Sequence, residues 1–341
     1  ANTENCLAIR EVLNDFCAKS GQTISAAKSR VFFSPNVDSD QKEAMSNLLG
    51  FTPTANLGKY LGFPIKHPGN RRQDFSFVLD RVKKKLSGWK ANLLSMAGRM
   101  VLIQSSSSTI PAYVMQSNLL PSKILDGIDR VNRNFLWGST EQARKMHWVN
   151  WSKVTKPKNL GGLGLQTVKG RNTALLAKLN WRLHTEDNAQ WAKVLKMKYC
   201  TRQRINSRNA ARLPCSPTWK GLRKGEVVFK KGVKWVPGHD SKLNFWYDCW
   251  LDLGPLRNII QGPLPRETDN LKISDVCATS GWNWTIMPFE FPPEIKATIQ
   301  AVPTPIFARS GDKLAWKFSP KGDFDARSAY LLASDYQDTN T

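Results

Sequence analysis

Histidine and cysteine are scarce in this chain: four His and six Cys in 341 residues. Cys6, Cys17, Cys200, Cys215, Cys249 and Cys277 form no CxxC pair. His67, His147, His184 and His239 have no ligand-like spacing among themselves or with Cys. Neither a zinc site nor a disulfide framework is signalled, so no metal ligands are expected and reduced thiols in an intracellular protein are the default. Long apolar runs are missing too. None approaches the ~20 residues needed to cross a bilayer, which leaves no membrane partner to expect. There is no signal peptide and no initiator Met, and the chain reads as an internal piece of a longer one. Acidic residues are outnumbered: 27 Asp and Glu face 50 Lys and Arg, for a formal charge of +23. No Asp–Asp pair occurs anywhere.

These absences bound the chemistry. Nucleotidyl transfer by polymerases uses two metal ions held by converging carboxylates. Asp38 and Asp40 fall in a polar loop, and Glu186 and Asp187 near a helix end; all four read as solvated. The chain alone is therefore not expected to polymerise DNA. Gly161-Gly162-Leu163-Gly164 lacks the Gly-Lys-Ser/Thr ending of a phosphate-binding loop. It reads as a tight turn after Lys156-Pro157-Lys158.

What is present is basic charge and apolar periodicity. The basic excess is concentrated in residues 51–250, between near-neutral ends, and points to a polyanion partner. A hydrophobic share of 41% supports a real core. The thirteen Trp are candidates for core anchors or for faces on which bases stack. Helical spacing predicts helices over 4–19, 74–90, 95–109, 122–136, 170–184 and 188–199. The strongest is 74–90, where Phe75, Val78, Leu79, Val82, Leu86 and Trp89 share an arc of about 100°. Short strands are expected at 31–33 and 60–63. Val233–Val236 and Leu243–Trp246 flank Gly238-His239-Asp240 and predict a hairpin. Leu314–Phe318 and Asp323–Asp325 flank Pro320-Lys321-Gly322 and predict a second. The expected fold class is α+β, mainly helical and basic in the centre.

The motifs run in a set order. Gly21-Gln22-Thr23-Ile24-Ser25 leads to Lys28-Ser29, then Lys59-Tyr60-Leu61-Gly62-Phe63-Pro64. Leu94-Ser95-Met96-Ala97-Gly98-Arg99, Ile110-Pro111-Ala112-Tyr113, Phe135-Leu136-Trp137-Gly138 and the glycine turn at 161–164 follow. The order as a whole resembles the LINE-type (non-LTR retrotransposon) reverse transcriptases of plants. That resemblance begins after the place where the family keeps its paired catalytic aspartates. It implies residues 1–65 as the end of a palm, 66–212 as a thumb-like helical domain, and 213–341 as a connector before the family's zinc-binding module. The Cys/His module itself is absent. Phe245-Trp246-Tyr247-Asp248-Cys249-Trp250-Leu251 resembles a family signature of that connector.

Roles for residues follow from the resemblance. Lys28 matches a lysine that can act as general acid toward pyrophosphate, although Ser25 stands where the family commonly has Asn. Lys59, Tyr60 and Gly62 match the primer-grip hairpin. The basic helix with Arg81, Lys83, Lys84 and Lys85 fits a thumb that holds a duplex by its phosphates. Arg71, Arg72, Arg99, Arg171, Lys178 and Arg182 are further candidate phosphate contacts. The implied partners are RNA, DNA and RNA–DNA hybrid, together with the missing palm segment. No cofactor is expected in this chain, whereas the intact family enzyme would need Mg2+. A nuclear location is expected from the resemblance alone. Two alternatives stay open: a decayed retroelement product without activity, and a polymerase subunit that needs a partner palm chain.

Overall fold

Helix ends follow the capping chemistry of the sequence. Asn2 Oδ1 accepts from the Asn5 amide at 3.1 Å and starts helix α1, Thr3–Ser20. Gly21, at φ 67°, ends it. The computed structural model describes residues 2–55, 58–60, 63–64, 75–87, 93–140, 143–200, 215–265, 267–278, 281–287, 289–304 and 310–335. The chain is α+β and mainly helical. It divides into two compact units, Ala1–Phe77 and Val78–Thr341.

In the first unit α1 packs against α2, Ser39–Leu49. Cys6 is the buried residue of α1, while Ile9, Val12 and Phe16 of its apolar stripe are exposed. Strand β1, Arg30–Val31, pairs in parallel with β2, Thr52–Pro53. Strands β3, Lys59–Tyr60, and β4, Phe63–Pro64, pair antiparallel with Tyr60 opposite Phe63. One strand over 60–63 was the expectation. The structure instead has two two-residue strands there, paired antiparallel, with Pro64 the last residue of β4.

The second unit is built on helices of 7 to 18 residues. These are α3, Ser76–Leu86, α4, Met96–Leu102, α5, Thr109–Met115, α6, Ser122–Trp137, α7, Val168–Thr185, α8, Gln190–Tyr199, and α9, Pro217–Gly232. Between α4 and α5 lies a π-helical turn, Ile103–Ser107. The expected helix over 95–109 therefore runs on to Met115. Pro111 is the third residue of α5, close behind the π-helical turn. Gly138, at φ 71°, closes α6, with the Ser139 amide donating to Asn134 O at 2.8 Å.

Helix α9 was not expected from the sequence, because Gly221, Gly225 and Gly232 weaken its helical signal. Packing explains them. A methyl group on Gly225 would meet the Leu176 carbonyl carbon at 2.3 Å, so the backbones of α7 and α9 touch there. Buried amides lock the same region. Asn172 accepts from the Leu120 amide at 3.0 Å and donates to Met115 O and Asn118 O. Asn180 donates to Leu222 O at 2.7 Å.

The hairpin expected between Val233–Val236 and Leu243–Trp246 does not form. Strand β5, Val233–Val236, pairs antiparallel with Lys313–Trp316 instead. Asp312 decides this: its carboxylate accepts from the Gly238 and Lys242 amides at 2.9 and 3.1 Å. The turn at 238–242 is thereby clamped to a distant segment, and Leu243–Trp246 turns inward. Phe245, Trp246, Trp250 and Leu251 are buried in a core with Ile273, Phe291 and Ile299. The Trp246 and Trp250 indoles donate to Thr268 O and Phe245 O. This aromatic signature is thus architectural. At the second expected hairpin only Lys313–Trp316 is a strand; the turn closes by Trp316 N–H to Gly322 O at 2.7 Å. Helix α10, Pro293–Gln300, and helix α11, Ala326–Ala333, complete the unit.

Candidate nucleic-acid interface

Helix α3 has two faces. Val78, Val82 and Leu86 are buried, and Leu79 packs so close to Gly127 of α6 that a methyl group there would lie 3.1 Å from its Cδ2. Arg81, Lys83, Lys84 and Lys85 are exposed. Arg81, Lys84 and Lys85 stand at i, i+3 and i+4 and therefore share one face, together with Asp80 four residues before Lys84, whereas Lys83 lies about 100° round the helix from Lys84. The three lysines also occupy the last turn, where cations favour the negative end of the helix dipole.

Helix α7 is buried almost all round, by Asn172, Ala174, Leu176, Ala177, Leu179, Asn180 and Leu183. Its outward stripe is Arg171, Leu175, Lys178 and Arg182, at i, i+4, i+7 and i+11. Eleven residues rise about 16 Å, so the cations are strung along the helix. Lys178 and Arg182 line an open cleft of about 480 Å3 with Gln116, Thr185, Glu186 and Phe324. Trp181 forms part of its wall and sits edge-on to Trp316 at 6.5 Å between centroids. Arg182 is engaged by Glu186 through two bonds of 2.7 and 3.0 Å. That pairing raises the guanidinium pKa and lowers that of the carboxyl. Lys178 has no carboxylate partner among the described residues. Burial lowers the Arg171 pKa, which marks a cation at the edge of the packed layer.

The structure does not gather all the expected site residues. Lys28 is exposed in a turn, its amide donating to Ser25 O at 3.1 Å, before β1. Lys59 and Tyr60 form β3, opposite β4. Gly62, Arg71 and Arg72 lie outside the described residues, as does Trp89. Arg99 is half-buried against Gly138 at the C-terminal end of α6, where a side chain on that glycine would collide with its guanidinium. Gln116, Thr185 and Phe324 were missed by the sequence reading. The period of the α7 stripe could have flagged Thr185, but Phe324 comes from a remote segment, and nothing local places it at the cleft. The glycine turn at 161–164 has the expected form. Gly161 and Gly164 have φ of 76° and 70°, and the Gly164 amide bonds Lys156 O at 3.1 Å. Among the described residues no group of three or more His, Cys, Asp or Glu is placed to hold a metal ion. No helix among them is long and apolar enough to cross a membrane.

No family model matches the chain. Over 272 residues, 79% of its length, it is 36% identical to an Arabidopsis thaliana protein named "Putative ribonuclease H protein At1g65750". It spans 44% of that relative, less than half of its length. Over 143 residues, 42% of the chain, it is 27% identical to the "Uncharacterized mitochondrial protein AtMg00310" of the same plant, covering 92% of that protein.

Proposed function

We propose that the chain is the nucleic-acid-holding part of a plant retroelement protein of the LINE reverse-transcriptase type. In this reading residues 66–212 grip a duplex by its phosphates, residues 1–65 end a palm, and residues 213–341 connect to further domains. The observation that carries it is the two-faced α3. One face is buried against the body of the unit, and the other presents Arg81, Lys84 and Lys85 to solvent. The α7 stripe adds Arg171 and Lys178. Such contacts hold the backbone without reading sequence, and A-form hybrids are recognised in that way. The name of the Arabidopsis relative supports the choice of ligand, since ribonuclease H chemistry acts on RNA–DNA hybrids.

Lys28 and the Lys59–Tyr60 strand have their roles, general acid and primer grip, only beside a palm that supplies aspartates. The carboxylates described here do not form a set that would hold Mg2+, and no step is routed through that ion. The test is fluorescence anisotropy with labelled RNA–DNA hybrid, duplex DNA and single-stranded RNA over a salt series. Tighter hybrid binding with a steep salt slope supports the reading. Absence of binding to all three overturns it.

A further inference from the structure

We propose that loop 143–150, between α6 and the helical turn Trp151–Val154, is a stacking platform for unpaired bases of a single-stranded nucleic acid. The inference rests on the nucleic-acid reading above and adds a second kind of contact, to bases rather than phosphates. Trp148 is 77% exposed, and among the described tryptophans it alone is exposed. The other described tryptophans lie buried or half-buried within the fold. An indole left in water forfeits the burial that drives folding, so the fold itself gives no reason for Trp148. Met146 beside it is 71% exposed.

The backbone that presents Trp148 is held at both ends. Thr140 and Ala143 exchange bonds of 2.9 and 3.0 Å, and the Lys145 amide donates to Ser139 Oγ at 3.1 Å. Asn150 Oδ1 accepts from the Ser152 amide at 3.2 Å and caps the next turn. Inside the loop the His147 ring lies nearly parallel to Trp137, 6.4 Å between centroids. A ring presented on a pinned loop loses less freedom on binding than one on a loose tail.

The charge around the loop selects the occupant. Arg144, Lys145, Lys153, Lys156 and Lys158 are exposed, and no Asp or Glu occurs between Ala143 and Thr185. None of these cations has a carboxylate partner among the described residues. A ligand for this surface must combine flat apolar rings with regularly spaced negative charge. Single-stranded RNA or DNA does so, with bases free to stack and phosphates to pair. In a duplex the bases are already stacked on one another, so the platform would engage an unpaired overhang and not the duplex.

The experiment uses the full chain and two labelled hybrids, one blunt and one with a single-stranded RNA overhang carrying 2-aminopurine. The expected result is tighter binding of the overhang substrate and quenching of the 2-aminopurine. Trp148→Ala should lower overhang affinity about 5- to 150-fold, the effect of one stacked base, and abolish the quench. Trp148→Phe should keep most of both. Blunt-hybrid affinity and circular dichroism should not change. Equal affinity of the wild type for both hybrids would overturn the proposal while leaving the duplex reading intact, whereas binding to neither would defeat both. Loss of co-sedimentation of Trp148→Ala with phosphatidylserine vesicles, with overhang binding unaltered, would assign the loop to a lipid surface and also overturn it.

Discussion

Removing Lys84 and Lys85 together tests whether α3 holds phosphates. Each ammonium stands on the solvent face, one turn from Arg81, and neither contributes to the Val78–Val82–Leu86 packing. Each phosphate contact contributes about 0.9 to the slope of log K against log salt on a B-form duplex. Lys84→Ala with Lys85→Ala should thus reduce the slope by about 1.8. Between 50 and 200 mM salt that difference makes the affinity loss roughly tenfold less steep than in the wild type. Lys83→Ala is the internal comparison. Its side chain lies about 100° round the helix from that of Lys84, so a single duplex docked on the Arg81–Lys84–Lys85 face should register its loss by less than about 0.9. The assay is anisotropy with a blunt hybrid at four or more salt concentrations. Equal slopes for the wild type and the double variant would refute the reasoning, as would a Lys83→Ala effect as large as that of Lys84→Ala.

Three further outcomes are expected. Gly225→Ala should destabilise the second unit by about 3 kcal/mol despite a better helix former, because the methyl would meet the Leu176 backbone at 2.3 Å; thermal unfolding checks it. Asn172→Leu should cost about 3 kcal/mol by leaving the Leu120 amide and two carbonyls unpaired, measured by urea denaturation. Asp129 accepts from the Val168 amide at 3.3 Å, and burial raises its pKa from 3.8 to about 6. The folded state therefore binds this proton more tightly than the unfolded state, and its contribution to stability is greatest below about pH 4 and lost as pH rises to about 6. Asp129→Asn should remove that pH dependence and stabilise the chain at pH 7 by at most about 3 kcal/mol, read from unfolding curves between pH 4 and 8.

Helices with a one-sided apolar stripe were legible in the sequence. The expected helix at 122–136 appears as Ser122–Trp137, because Ile124, Leu125, Ile128 and Phe135 recur at helical spacing and Gly138 supplies the left-handed stop. What failed had long-range causes. Helix Pro217–Gly232 carries glycines that oppose a helix locally and are required by the close approach to α7. Strand Val233–Val236 had two candidate partners, and Asp312 decided between them from more than seventy residues away. No periodicity of either segment carries that information. The cleft shows the same division: Lys178 and Arg182 were named singly from the sequence, whereas Phe324 was brought to them only by folding.

The burial of α7 gives its basic residues their direction. A helix enclosed on most sides has one narrow stripe left for solvent, where charged residues are the norm. On α7 that stripe holds Arg171, Lys178 and Arg182. Glu186 satisfies Arg182 within the chain, through a paired geometry that a phosphate would have to displace. Burial already lowers the pKa of Arg171. Lys178 is exposed and has no carboxylate partner among the described residues, whereas Arg171 is half-buried. In the proposed reading the contacts of these two helices are Arg81, Lys84 and Lys85 on α3 and Arg171 and Lys178 on α7, a small part of the positive charge of the chain.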